Sequence, residues 1–501
     1  MIRVGLLFTF VIVIHSFVSG QVLGKEVDEE VEMSLSDVIE LAKLQSLHSF
    51  RSRNMYLARY WEFRSYKAQK LPSLNLNATP LNYNRTVTMQ FSNGTNNFYD
   101  QEMISSNVGL SVRQNVTLTG GVLSINSKAQ GLKDFSLEDE TATNYTSTPV
   151  SVMFEQSLNG YNEFRWMSRI EPVRFEKAKR EFISEMEDLA MQATSEFFEM
   201  VSAEINLKIA QTNLANADTL YRIGKGRFEI GTVTQDELLD LELSFLNSNM
   251  DVTKSKLALR QARSSLNSFL GFANDVKIKP VIPNAIPQLK VDVDMALVLA
   301  KENNPQMLGF EEQLLLAGQK VAQTRANSGL NASVNANLGI NKRTDEFNSL
   351  YKSPFGDERG VYVNLNVPIV DWGLRKGKIQ MAKSDREVTE ATVKQARIDF
   401  EQEVINKIME FNLQDEQVFI SAKADTVAQL GYEVTKQRFM IDKVDVIKLN
   451  SARNSLDAAR RGFINALAQY WRSYFEIRKL TLYDFSQEKG LMMDLDYLLQ
   501  H

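Results

Sequence analysis

The sequence predicts an α+β membrane protein built from two internal structural repeats, each joining barrel-type β-strands to a pair of very long helices. Three observations predict it. One helix-turn phrase occurs twice, long proline-free stretches flank each copy, and short segments alternate apolar with uncharged polar residues.

The phrase reads Arg227-Phe228-Glu229-Ile230-Gly231-Thr232-Val233 with Leu238, and again Arg438-Phe439-Met440-Ile441-Asp442-Lys443-Val444 with Leu449. A shift of 211 residues superimposes Arg, Phe, Ile, Val and Leu. A second match, at a shift of 258, lays Ser34–Ala42 on Asp292–Ala300 and Leu76-Asn77-Ala78 on Val334-Asn335-Ala336. Repeat one therefore spans 34–272 and repeat two 291–485. Between them lies a linker at 273–290 with Pro280, Pro283 and Pro287; a 21–33 extension and a 486–501 tail flank the whole.

Residues 1–20 read as a signal peptide. Arg3 supplies the positive start, Val4–Val18 a mostly apolar run, and Val18-Ser19-Gly20 the small residues before cleavage, so Gln21 opens the mature chain. The run is too short for a comfortable membrane helix, and no later stretch approaches the ~20 apolar residues that one needs. An exported chain of this kind can enter a membrane only as a β-barrel.

Strands follow the first short helix of each repeat. In 333–341, Val334, Ala336, Leu338 and Ile340 alternate with Ser, Asn and Gly; in 361–369, Val361, Val363, Leu365, Val367 and Ile369 alternate in the same way with Tyr, Asn and Pro. Repeat one shows the pattern in Leu74/Leu76/Ala78, Val108/Leu110/Val112 and Val150/Val152/Phe154. Such alternation suits strands with one face in lipid or core and the other in water. Segments near 83–104, 131–148 and 342–358 are rich in Asn, Asp, Ser and Gly and read as rim loops. Thr117-Leu118-Thr119-Gly120-Gly121 marks an additional hairpin in repeat one, whose strands belong either to the wall or to an external ribbon.

The long helices come next. Proline is absent from 173 to 279 and from 369 onward. Phe198, Val201, Ile205, Ile209, Leu214 and Leu220 keep helical spacing before the Gly224/Gly226 region, and Leu238, Leu241, Phe245, Val252, Leu259 and Leu266 continue after the turn. Repeat two does likewise with Ile398, Ile405, Ile408, Phe411 and Val418, then Leu449, Leu456, Phe463 and Leu467. A helix of some 60 residues is ~90 Å long. Its narrow apolar stripes require helical partners.

Composition excludes several classes. The net charge of -5, without a basic block, gives no reason to expect nucleic acid binding. With no cysteine and only His15, His48 and His501, neither a thiolate nor a histidine metal site is expected. No phosphate-binding glycine loop or nucleophile constellation is present, so neither enzyme activity nor a cofactor is expected.

The order of helix, strands, long helix, tight turn and long helix, given twice behind a signal peptide, resembles TolC-type outer membrane efflux proteins. The resemblance covers nearly the whole mature chain. It is carried by Leu35-Ser36-Asp37-Val38-Ile39 and Asp294-Met295-Ala296-Leu297, by Leu71-Pro72-Ser73-Leu74, by Val367-Pro368-Ile369-Val370-Asp371-Trp372-Gly373 and by the two Arg-Phe-x-Ile turns. The Thr119-Gly120-Gly121 element looks like the Bacteroidetes-type branch. The resemblance implies a homotrimer with a shared outer membrane β-barrel, in contact with lipid and continuous with a helical tunnel across the periplasm. It implies a passive channel of a tripartite efflux or type I secretion system. An inner membrane RND or ABC pump would supply the energy, and a periplasmic adaptor (membrane fusion) protein would couple the two. The rival reading is a secreted or periplasmic coiled-coil scaffold or adhesin without transport.

On this resemblance the helical tips touch the adaptor through Arg227, Gly231, Thr232, Val233, Leu238, Arg438, Val444 and Leu449. The alternative for these residues is turn formation and helix capping: Gly231 suits a left-handed turn, and Arg227 and Arg438 lie near helix ends with unpaired carbonyls. Glu237, Asp240, Asp442, Asp445 and Lys448 are candidate gate charges, tripled by three-fold symmetry, with solvated helix surface as the alternative.

Overall fold

The computed structural model describes residues 31–92, 95–135, 142–272, 276–283, 286–441, 443–491, 495 and 498. The expected signal peptide, most of the N-terminal extension, part of the linker and tail, and Asp442 lie outside the described residues.

The chain opens with β1 (Val31–Ser34), α1 (Leu35–Gln45) and α2 (Leu47–Ala68). Four strands follow: β2 (Ser73–Ser92), β3 (Thr95–Val116), β4 (Gly121–Asp134) and β5 (Ala142–Ser157). Then come α3 (Glu163–Glu229), α4 (Gln235–Leu270) and β6 (Ile278–Val281). The second half runs α5 (Val293–Asn303), α6 (Pro305–Asn327), β7 (Asn331–Thr344), β8 (Gly356–Asn366), α7 (Leu374–Met440) and α8 (Val446–Thr481).

Matched positions start matched helices. Ser34 closes a capping box on α1: its N–H donates to Asp37 Oδ2 at 2.9 Å, and its Oγ accepts from Asp37 N–H at 3.3 Å. Asp292 caps α5 by accepting from Met295 N–H at 2.7 Å. Ser46 and Asn304 end these short helices and cap the next ones, accepting from Ser49 N–H at 3.1 Å and Gln306 N–H at 2.9 Å.

α3 and α7 are each 67 residues, α4 and α8 each 36. At 1.5 Å per residue these are roughly 100 Å and 54 Å long. α3 begins ten residues before the expected proline-free stretch and runs through Pro172, and it also runs through the Gly224/Gly226 region, ending at Glu229. Pro172 removes one helical hydrogen bond in a helix with dozens, which neighbouring packing outweighs. In the lower half the helices lie side by side in the order α4, α3, α8, α7; nearer the sheet the order is α2, α3, α6, α7. The protomer is therefore a ribbon one helix thick, with α2 and α4 along one edge and α7 along the other.

The ribbon is pinned at mid-height. Leu35, Val38, Phe197, Leu266, Leu270, Phe411, Leu467 and Tyr470 form a core where α1, α3, α4, α7 and α8 converge. Beside it Arg478, 14% exposed at its side chain, pairs with Glu187 and with Asp484, each at 2.8 Å. Lys43 approaches the same Glu187 at 3.5 Å.

β2–β5, β7 and β8 form one antiparallel sheet in the order β2-β3-β4-β5-β7-β8. The expected rim loops at 83–104 and 131–148 are largely strand. β2 and β3 pair without interruption from Asn82↔Ser105 to Ser92↔Thr95, and β4 and β5 pair as far as Asp134↔Ala142. Their Asn, Ser and Thr side chains give little strand preference of their own, but long cross-strand ladders override it. At ~3.4 Å per residue the β2–β3 hairpin carries on about 30 Å beyond Asn82. β8 stops at Asn366 rather than at 369, because Pro368 cannot donate to the ladder.

Replacing Arg478 by Met leaves Glu187 and Asp484 buried without this partner. It is expected to destabilise the helical region by about 3 kcal/mol, read as a lower urea midpoint by circular dichroism. An unchanged midpoint would show that the network contributes nothing.

Candidate functional site at the helical tips

Both hairpins turn in the same way. After α3, Thr232 N–H reaches back to Arg227 C=O at 2.9 Å; after α7, Lys443 N–H reaches back to Arg438 C=O at 2.9 Å. The 211-residue shift that aligns the sequences aligns these bonds. Gly231 has φ +76°, the left-handed region that a β-carbon disfavours, and its N–H donates to Phe228 C=O at 2.9 Å.

Two of the acidic residues expected as gate charges, Glu237 and Asp445, cap helices. Thr234 N–H donates to Glu237 Oε2 at 3.0 Å, and Asp445 accepts from Lys448 N–H at 2.7 Å, starting α4 and α8. The Thr234 hydroxyl donates to Asp236 and holds its carboxyl below the usual carboxylate range. Asp240 and Lys448 are exposed.

The tips meet in one groove between the two hairpins. Arg227, Thr232, Val233, Glu237 and Asp240 line it from the first, and Phe439, Lys443, Val444, Asp445 and Arg453 from the second. Val233, Leu238 and Val444 are half-buried, whereas Gly231 and Arg438 are exposed. Leu449 lies beneath this surface, buried with Tyr432 and Phe439, and Leu220 and Leu456 pack against the three of them.

The two tips are filled differently. Phe439 is 8% exposed and its counterpart Phe228 41%. At the first tip Gly224 does the packing: a β-carbon there would collide with Leu241 Cδ1, so α3 and α4 approach closely. The glycines inside the helical pattern, Gly224 and Gly226, are the sequence signal for this approach. Polar links invisible to periodicity tie α3 to the second hairpin. Asn213 Nδ2 donates to Asp457 at 2.9 Å, Asn216 Nδ2 to Tyr432 Oη at 2.9 Å, and Arg461 Nε to Asn206 Oδ1 at 2.8 Å.

Elsewhere, His48, Glu185 and Asp188 come close enough to share an ion. His48 Nε2 lies 3.0 Å from Glu185, and Lys479 already occupies Asp188 at 2.5 Å, so the group is an ion-pair cluster.

Residues 296–481 match the family model for outer membrane efflux proteins. The fold is that of solved outer membrane channels. The Campylobacter jejuni CmeC channel superimposes with a TM-score of 0.65 at 15% identity, covering 93% of this chain and 88% of that one. Vibrio cholerae VceC gives 0.61 at 12% identity (91% and 96% covered), and the open state of Neisseria gonorrhoeae MtrE 0.58 at 16% (89% and 88% covered). No curated relative matches by sequence. The family match lies in the second half of the chain, and the fold shared with these channels spans both halves.

Gly231→Val should strain the first turn and cost about 1–2 kcal/mol, whereas Gly231→Asn should be nearly neutral. Thermal unfolding followed by limited proteolysis at the tip reads the difference; equal behaviour of the two variants would show that the turn does not need a left-handed residue.

Proposed function

We propose that this chain is an outer membrane efflux protein, three copies of which close into one continuous duct, with a β-barrel in the outer membrane and a helical tunnel below it in the periplasm. The observation that carries this reading is the pair of unfinished edges. Along one, β2 offers an unpaired ladder above α2 and α4; along the other, β8 does so above α7. α4 exposes Leu239, Leu243, Leu246, Met250 and Leu257, and α7 exposes Met409, Leu413, Ile420, Val427 and Leu430. Stripes of this kind are stable only when another helix covers them. β2 and β8 run in opposite directions within the sheet, so one copy's β8 meets the next copy's β2 antiparallel. The matched lengths and matched turn bonds of the two hairpins further support an internal duplication within each copy.

The duct performs no chemistry. A periplasmic adaptor seats on the tips through Arg227, Gly231, Thr232, Val233, Leu238, Arg438 and Val444, with Leu449 holding the second tip from beneath. An inner membrane pump of the RND or ABC class delivers the cargo. Opening is a population shift between closed and open sets of tips; Asp240 and Lys448, both exposed, are the gate charges least committed to capping. The scaffold or adhesin reading leaves the sheet's alternation and its open edges without a purpose.

Val233→Glu and Val444→Glu put a charge into the half-buried floor of the tip groove. Each is expected to abolish export of a pump substrate while the heat-modifiable trimer persists in outer membrane fractions. Full export by both variants would remove these residues from the docking surface, and the absence of any trimer in the wild type would overturn the duct.

A further inference from the structure

Six strands lie over four helices, and the surplus has a definite place. β2, β5, β7 and β8 each connect directly to one of the four helices beneath the sheet, namely α2, α3, α6 and α7. β3 and β4 connect only to strands. They are the hairpin that the first half possesses and the second lacks, since β7 and β8 alone occupy the corresponding stretch of the second half.

This hairpin is built into the sheet and not hung upon it. Its turn, Thr117–Gly120, is fastened at the junction with the helices. Asn162, the N-cap of α3, donates through Nδ2 to the carbonyls of Thr117 at 2.8 Å and Leu118 at 3.0 Å. Asn115 Nδ2 donates to Gln69 C=O and Gln114 Nε2 to Lys70 C=O, each at 2.8 Å, just beyond α2. Gly120 has φ +80°, and a β-carbon there would stand 3.1 Å from Asn162, so the fastening requires glycine.

On the helical side of the bulge at Asn126/Lys128, the register carries both faces of the sheet through the hairpin. Leu74, Val112, Ile125, Val152 and Leu338 are successive ladder partners on one face across β2, β3, β4, β5 and β7. One residue along, Asn75, Ser111, Asn126, Ser151, Gly339 and Glu358 form the row on the other face. An external ribbon would have no reason to keep its apolar residues in line with those of its neighbours. Leu71, Leu118, Leu158, Leu330 and Ile369 extend the agreement: each is exposed at the helical end of the sheet, and Leu118 of the hairpin turn completes that rim.

Widths agree as well. At ~4.8 Å between strands and ~40° tilt, one strand occupies roughly 6 Å of a barrel's circumference, so six occupy about 38 Å. Four helices at about 8–10 Å apart occupy roughly 32–40 Å. Four strands would cover only about 25 Å.

The geometry points to a wall to which every copy contributes all six strands, so that three copies close an eighteen-stranded barrel as wide as the tunnel below it. This rests on the trimeric duct proposed above. The barrel would measure roughly 35 Å between backbones, against about 24 Å for one of twelve strands. The exit then does not narrow, and cargo size is limited at the periplasmic tips instead. The apolar face contacts lipid, and the Asn- and Ser-rich face lines the lumen.

The chain has no cysteine, so single-cysteine variants test this against a clean background. In liposomes holding trimers, Asn126→Cys should react with a membrane-impermeant maleimide, and Ile125→Cys should react only after denaturation. Attaching a polyethylene glycol maleimide at position 126 should lower single-channel current in planar bilayers by at least roughly a third, as a polymer within the lumen requires. Equal labelling of both variants, or an unchanged current after modification at 126, would overturn the six-strand wall while leaving the duct intact. Failure to cross-link as a trimer, or no current from any variant including wild type, would instead remove the duct and this inference with it.

Discussion

A ribbon one layer thick has no interior of its own, and the rest of the structure follows from that constraint. The chain exposes 32925 Å², whereas a compact monomer of 57.0 kDa exposes about 19,000 Å². The ribbon's edges leave uncovered the strand backbone of β2 and β8 and apolar side chains on α4 and α7. At mid-height, where α1 and α5 fold onto the long helices, the protomer makes its main core, with fully buried side chains such as Phe197, Phe411 and Tyr470. The Arg478 network lies beside that core; on the proposed duct, neighbouring copies cover the edges.

The fold was legible wherever a local rule had no competitor. Helical spacing placed α4, α7 and α8, and alternation placed the helix-proximal ends of β2, β3 and β5 and most of β7 and β8. The caps at Ser34 and Asp292 stood at matched positions in the sequence and cap matched helices. Legibility failed where tertiary contacts override local preference. Asn-rich stretches expected as loops are strands because a partner strand lies alongside, and α3 passes Pro172 because α2 and α6 flank it. The hairpin at Gly120-Gly121 was visible as a turn. Its place in the sheet was not, because it depends on Asn162 and on the carbonyls of Gln69 and Lys70, residues that pattern alone does not connect.

The tips were legible as turns and less so as a site. Arg227, Gly231 and Arg438 could be placed from the repeated phrase, since the turn bonds use backbone atoms at fixed offsets. The acidic residues were ambiguous because a carboxylate in the first turn of a helix satisfies two demands at once: it caps N–H groups, and it carries charge. Glu237 and Asp445 prove committed to the first. Periodicity also treats the two tips as equal, whereas close backbone approach at Gly224 builds one and an aromatic cluster builds the other.

That inequality bears on how such a mouth moves. The first tip, with α3 and α4 in contact at Gly224 and Leu241, resists separation because parting them forfeits close packing. The link between the first hairpin and the second is mixed, apolar at Leu220 and polar further along. Along the lower part of α3 it includes three polar bonds, from Asn206, Asn213 and Asn216 to residues of α7 and α8. The neutral one contributes about 0.5–1.5 kcal/mol and each of the two with a charged partner about 1.5–3 kcal/mol. The hairpins are thus close-packed within themselves and joined both by polar bonds and by Leu220 of α3 against Tyr432, Phe439 and Leu449. On the proposed reading, the mouth opens by one hairpin moving against the other as a body, with both turns kept intact.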